Sequence, residues 1–120
     1  PVDSPAAALV DTAALIEAVK RVSLVAPRNT PIRLSFSAGE LTLDAGGGDD
    51  ASASESLGAN YQGEPMTIAF NPGYLLDGLG ALDSDTARMA FTTPTKPAVL
   101  TGKEPDPTYR YLLMPVRLSG

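Results

Sequence analysis

The chain has 120 residues and a mass of 12.4 kDa, and 43% of its residues are apolar, enough for one hydrophobic core and too few for two. It contains neither cysteine nor histidine, which excludes disulfides, thiolate or imidazole metal ligands, and every nucleophile activated by an imidazole. Nine Lys and Arg against fourteen Asp and Glu leave a net charge of −5 and a pI near 4.5, the wrong sign for a stand-alone nucleic-acid binder.

No apolar run approaches the roughly 18 to 20 residues that cross a bilayer, and the chain does not open on a basic region followed by an apolar stretch. A soluble protein of a reducing cytoplasm is the expectation, with the lack of cysteine as supporting evidence. The opening Pro1-Val2-Asp3-Ser4-Pro5-Ala6-Ala7-Ala8 has the composition of a linker. Residues 1–7 are therefore expected to be a linker or a disordered N-terminal segment, residues 8–120 one domain, and the whole a part of a longer protein.

A short apolar stretch ends at Val10, and Asp11 is placed to cap a helix whose apolar positions Leu15, Val19 and Val22 follow the i, i+4, i+7 spacing. Glu17, Lys20 and Arg21 fall off that stripe. After Pro27 and Pro31, Ile32, Leu34 and Phe36 alternate with Arg33, Ser35 and Ser37, as in a half-buried strand. Ala38-Gly39 turns the chain, and Leu41 and Leu43 continue the alternation until Gly46-Gly47-Gly48-Asp49-Asp50. A third run, Ala51 to Ala59, alternates small residues with Ser52, Ser54 and Ser56.

The second half repeats the plan. Met66, Ile68 and Phe70 alternate as a strand, Asn71 caps, and Pro72 takes the first helical position, where a missing N–H costs nothing. Leu75, Leu76, Leu79 and Leu82 form the apolar face of that helix. Three strands are expected after it, around Met89 and Phe91, over Ala98 to Leu100, and over Tyr109 to Leu118. The order is strand, helix, three strands, twice over. Each helix must bury its stripe on a sheet, so the expected fold is α+β, with two helices on one face of a mostly antiparallel sheet and an internal pseudo-twofold repeat.

Two segments, Phe70-Asn71-Pro72-Gly73-Tyr74-Leu75-Leu76-Asp77-Gly78-Leu79 and Tyr111-Leu112-Leu113-Met114-Pro115-Val116-Arg117-Leu118, together resemble the bacterial sliding clamp family. More narrowly, the resemblance is to the third, C-terminal domain of the DNA polymerase III β subunit in its actinobacterial form, and it extends from about residue 8 to residue 118. It implies a clamp-domain fold with helices lining the inside of a ring and strands outside. It also implies no catalysis and no cofactor. The family's three-domain protomers pair head to tail around duplex DNA and tether polymerase III subunits and other clamp-binding proteins through a short peptide motif. One domain of three is not expected to close a ring.

By this resemblance, a peptide groove is expected from Asn71 and Tyr74 at the start of the second helix, from Pro94, Thr95, Lys96 and Pro97, and from Leu112, Met114, Pro115, Val116 and Arg117. Leu, Met and Val supply adaptable apolar walls, while Arg117 and Asn71 suit a polar anchor or peptide backbone. The plainer reading of Leu112 and Val116 is strand core. Alternation puts Leu112, Met114, Val116 and Leu118 on one face and Leu113 on the other, and Pro115 argues for an edge or bulge. The resemblance further implies a ring interface at Leu24, Val25 and Glu55, with Ala51 to Leu57 as an edge strand that extends a neighbour's sheet. It implies a DNA-facing helix surface at Lys20 and Arg21, where two neutralised phosphates would give a salt slope of only about −2.

Other signals point to little chemistry. Gly46 to Asp50 lacks the Lys-Ser/Thr ending of a phosphate cradle and the spaced oxygens of a calcium loop. Asp83 with Asp85, and Glu104 with Asp106, read as exposed turns. A carboxylate-dependent hydrolase using Asp83, Asp85 and magnesium would need those acids to converge in a concave site. A purely structural ring-assembly domain would need only Leu24, Val25 and the edge strand.

Overall fold

The computed structural model describes residues 6–25, 30–45, 54–82, 84–93, 95–102 and 110–116. In chain order these form β1 (Ala6–Asp11), α1 (Thr12–Val25), β2 (Ile32–Ser37), β3 (Glu40–Ala45), β4 (Ser54–Gly58), β5 (Asn60–Gln62), β6 (Met66–Phe70), α2 (Pro72–Ala81), β7 (Thr86–Phe91), β8 (Ala98–Gly102) and β9 (Arg110–Leu113).

Both helices start where the sequence places their caps. The Ala14 N–H donates to Asp11 Oδ2 at 2.8 Å, and Asn71 Oδ1 accepts from the N–H groups of Gly73 and Tyr74 with Pro72 in the first turn. Leu15, Val19 and Val22 on α1, and Leu75 and Leu79 on α2, are fully buried. Gly78 marks a close approach of α2 to the sheet, because a Cβ there would stand 2.8 Å from Tyr111 Cδ1 and 3.1 Å from Leu100 Cδ2. Gly39 turns the β2–β3 hairpin with φ +77°, a conformation that suits a residue without Cβ.

The strands divide into two antiparallel sheets, of order β5-β1-β7-β8-β9 and β4-β3-β2-β6. Each sheet holds the three strands that follow one helix, plus the strand that precedes the other helix: β1 pairs with β7, and β6 pairs with β2. The two halves thus exchange their first strands. After its third strand each half also crosses to the outer edge of the other sheet. In the first half β5 pairs with β1. In the second, the Val116 N–H donates to the Ala69 carbonyl of β6 at 2.8 Å.

The core lies between these layers. Phe36 of β2 stacks on Tyr61 of β5 with ring centroids 5.3 Å apart, and packs tilted on Phe91 of β7 at 4.9 Å. One ring of the four-stranded sheet therefore sits against two rings of the five-stranded sheet, so the aromatic cluster ties the sheets together.

Several elements differ from the sequence expectation. Ala6 and Ala7, expected in the leading linker, belong to β1, where they pair with Phe91 and Ala90 and where a small Ala6 side chain is buried. The last strand, expected over Tyr109 to Leu118, is described as a strand only over Arg110–Leu113. Pro115 has no N–H to offer a ladder, and the chain turns away toward β6 instead. Finally, β5 lies outside the expected set of strands, since a three-residue strand with one buried Tyr61 carries no periodicity to read.

Candidate functional site

The large hydrophobic side chains that stand exposed among the described residues are Leu24 (81%), Tyr74 (64%), Leu112 (61%) and Met114 (65%). All are residues singled out from the sequence. The backbone brings the segment that follows β9 close to the start of α2. Asn71 caps α2 and so fixes Tyr74 in its first turn. The Val116 to Ala69 hydrogen bond brings the chain beyond β9 to within two residues of that cap.

Strand β9 separates its two faces cleanly. Leu113 is buried, whereas Leu112 and Met114 face solvent, as alternation requires. Leu112 pairs with Val99 of β8, which is half-buried and continues the apolar surface one strand inward. The sequence pattern alone does not mark Val99, because its place beside Leu112 depends on which strand it pairs with. Asn71, Pro115 and Val116 are half-buried, and Thr95, Lys96 and Pro97 are exposed in the β7–β8 connection, whose end meets β9 at the Ala98–Leu113 pair. Pro94 and Arg117 lie outside the described residues. Tyr74, Leu112 and Met114 are thus exposed apolar side chains on segments that the Val116 to Ala69 hydrogen bond ties together.

The second group lies at the other end of the chain's first half. Leu24 is exposed near the end of α1, and among the described residues β4 is an edge strand, paired with β3 alone. Of the expected edge segment, residues 51–53 lie outside the described part, and Val25 ends the helix without a described side chain. Arg21 is held by a two-point ion pair with Glu55, Nε to Oε2 at 2.6 Å and Nη2 to Oε1 at 2.8 Å. The family resemblance places these two residues on different surfaces, but the fold joins them. Lys20 has Glu17 as its neighbour at 4.0 Å.

The hydrogen bond from Arg21, with its charge, holds the Glu55 carboxyl below the ordinary carboxylate range, and the same contact raises Arg21. For a lowered carboxylate the pair's contribution is present above the unfolded pKa and is lost as pH falls through the lower folded value. The raised Arg21 loses its contribution only at strongly alkaline pH. An NMR titration of Glu55 is expected to show a midpoint below the ordinary value, moving up in Arg21→Gln. Equal midpoints in the two proteins would mean that the pair does not form in solution.

Of the acids weighed for hydrolysis, Asp83, Glu104 and Asp106 lie outside the described residues, as does the loop 46–50. Asp85 is exposed, and its carbonyl accepts the Thr12 N–H at 2.9 Å. Among the described residues no group of three or more Asp and Glu is placed to hold a metal ion, and no helix is long and apolar enough to cross a membrane.

Residues 1–117 match the family model described as the C-terminal domain of the DNA polymerase III beta subunit. The chain is 54% identical to the beta sliding clamp of Streptomyces coelicolor over 125 residues, which covers 100% of this chain and 33% of that protein. A DnaN sliding clamp of Bartonella birtlesii superposes with a TM-score of 0.88 at 33% identity, covering 98% of this chain and 34% of that one. The same organism's clamp bound to griselimycin gives a TM-score of 0.87 at 33% identity, covering 98% of this chain and 32% of that one. The chain thus spans about a third of the length of the relatives it matches.

Proposed function

We propose, on the premise that this chain belongs to the family formed by the third, C-terminal domains of bacterial sliding clamps, that it is the peptide-capturing domain of a replicative clamp. It performs no catalysis and needs no cofactor. Its work is to hold short segments of polymerase III subunits and other clamp-binding proteins, while the full-length homodimeric ring encircles duplex DNA in the cytoplasm. Residues 8–120, extended to Ala6 by β1, are the domain that does this.

The observation that carries the reading is the exposure of Tyr74, Leu112 and Met114 around the Val116 to Ala69 crossing. Large apolar groups left in water beside a polar rim mark a contact surface, not a core. Asn71 and Arg117 are proposed to hold the polar anchor, and Pro94, Thr95, Lys96, Pro97, Pro115 and Val116 to wall the groove. The Bartonella birtlesii clamp, which contains a domain of this fold, binds griselimycin, in keeping with a family whose members present ligand-accessible surfaces.

The ring interface is proposed at Leu24, Val25, Glu55 and the outer edge of β4, and the DNA-facing surface at Lys20 and Arg21. Because Arg21 is engaged by Glu55 and Lys20 neighbours Glu17, direct phosphate contact by this domain is weak, and retention on DNA is assigned to ring closure. The alternative, a ring-assembly domain with no competent groove of its own, leaves the three exposed apolar side chains without a role.

Backbone NMR during titration with a peptide of one polar and two or three aliphatic or aromatic anchors tests this. Shifts are expected at Asn71, Tyr74 and residues 112–117, with weak binding, because the resemblance to the clamp family implies a groove completed by the preceding domain. Shifts scattered elsewhere would defeat the assignment.

A further inference from the structure

The outward face of the five-stranded sheet, opposite α2, carries a charge pattern that the peptide groove does not use. Register places Arg110 of β9, Thr101 of β8, Arg88 of β7 and Leu9 of β1 in one row across four strands. The adjacent row on the same face runs from Leu112 through Val99 and Ala90 to Ala7. Thr101 is only 4% exposed although it lies on this face between two arginines, and its hydroxyl donates to the Gly102 carbonyl.

In a chain of net charge −5, unpaired cations are notable. Lys20, Arg21 and Arg33 each have a carboxylate partner. Arg88 and Arg110 are exposed and have none among the described residues. The acid in the strands of that face is Asp11, whose Oδ2 already caps α1. Arg110 lies two residues along the strand from Leu112, about 7 Å, and Arg88 two strands over, about 10 Å from Arg110.

We propose that Arg110 and Arg88 form an anionic subsite continuous with the groove, which receives carboxylates flanking the apolar anchors of a docked segment. The partners selected are those with acidic residues two to three positions beyond the anchor seated on Leu112, on the side away from Met114. This rests on the peptide-docking reading above. It adds to that reading a charge preference, which apolar walls cannot supply.

The test uses this chain and peptides with identical anchors that carry two Asp or two Asn, placed on the N-terminal flank in one set and the C-terminal flank in the other. At low salt, two Asp on one flank are expected to tighten binding about three- to tenfold over Asn, as two exposed ion pairs allow. The gain should shrink as salt shortens the Debye length below about 10 Å. It should vanish in Arg88→Gln/Arg110→Gln and persist in Arg88→Lys/Arg110→Lys, while the Asn peptides bind all three proteins alike. No gain at either flank, or a gain that survives the double Gln variant, overturns the subsite. Asn peptides that leave Tyr74, Leu112 and Met114 unshifted would overturn the groove itself, and the subsite with it.

Discussion

Phe36→Ala is expected to destabilise the domain by about 3–5 kcal/mol, the usual loss for a buried Phe cut to Ala. Phe36 is 1% exposed and is the ring that the four-stranded sheet presents to Tyr61 and Phe91 of the other sheet. The loss therefore combines burial, a cavity and two aromatic contacts at the junction of the layers. Against a typical domain stability of roughly 5–15 kcal/mol, such a change takes a large fraction of the whole. Thermal unfolding should show a midpoint about 12–20 °C lower, with Phe36→Leu falling well short of that. A drop under about 4 °C would mean that the sheets are held together elsewhere.

Met114→Ala is expected to do the reverse: little to stability, much to binding. Met114 is 65% exposed, so truncation removes few native contacts and should change stability by no more than about 0.5 kcal/mol. If its thioether forms a wall of the groove, loss of that wall should weaken a bound segment by about 1–2 kcal/mol, or roughly five- to thirtyfold. Tyr74→Ala should act similarly. The double variant should lose less than the sum of the single losses if one anchor touches both side chains. Titration followed by NMR measures affinity and folding in the same spectra. A collapsed spectrum would mark Met114 as core, and an unchanged affinity would move the groove elsewhere.

These two outcomes rest on residues of opposite legibility. Phe36 was readable as core because Ile32, Leu34 and Phe36 alternate with polar residues, and all three are buried. The stripe Leu15, Val19, Val22 and the Asn71-Pro72 start were equally plain, since a helix announces its face and its cap within a few residues. For Leu112, Leu113 and Met114, alternation gave only the relation between faces. Which face α2 would cover, and which would stay open, depends on Gly78 letting that helix down onto Tyr111.

By itself the amino-acid sequence determined both helices, the β2–β3 hairpin, the twofold order of elements and, through two segments near Asn71 and Met114, the family. Those signals are short-range: caps, turns and apolar periods are set by residues within a turn or two of each other. Only the tertiary structure decided that β1 and β6 change places between the halves, that Arg21 meets Glu55 across 34 positions of sequence, and that the chain after Pro115 crosses to Ala69. Each of these pairings satisfies edges and apolar faces belonging to both halves at once. No local stretch of the chain contains the information to choose between partners that are equally compatible with its own pattern.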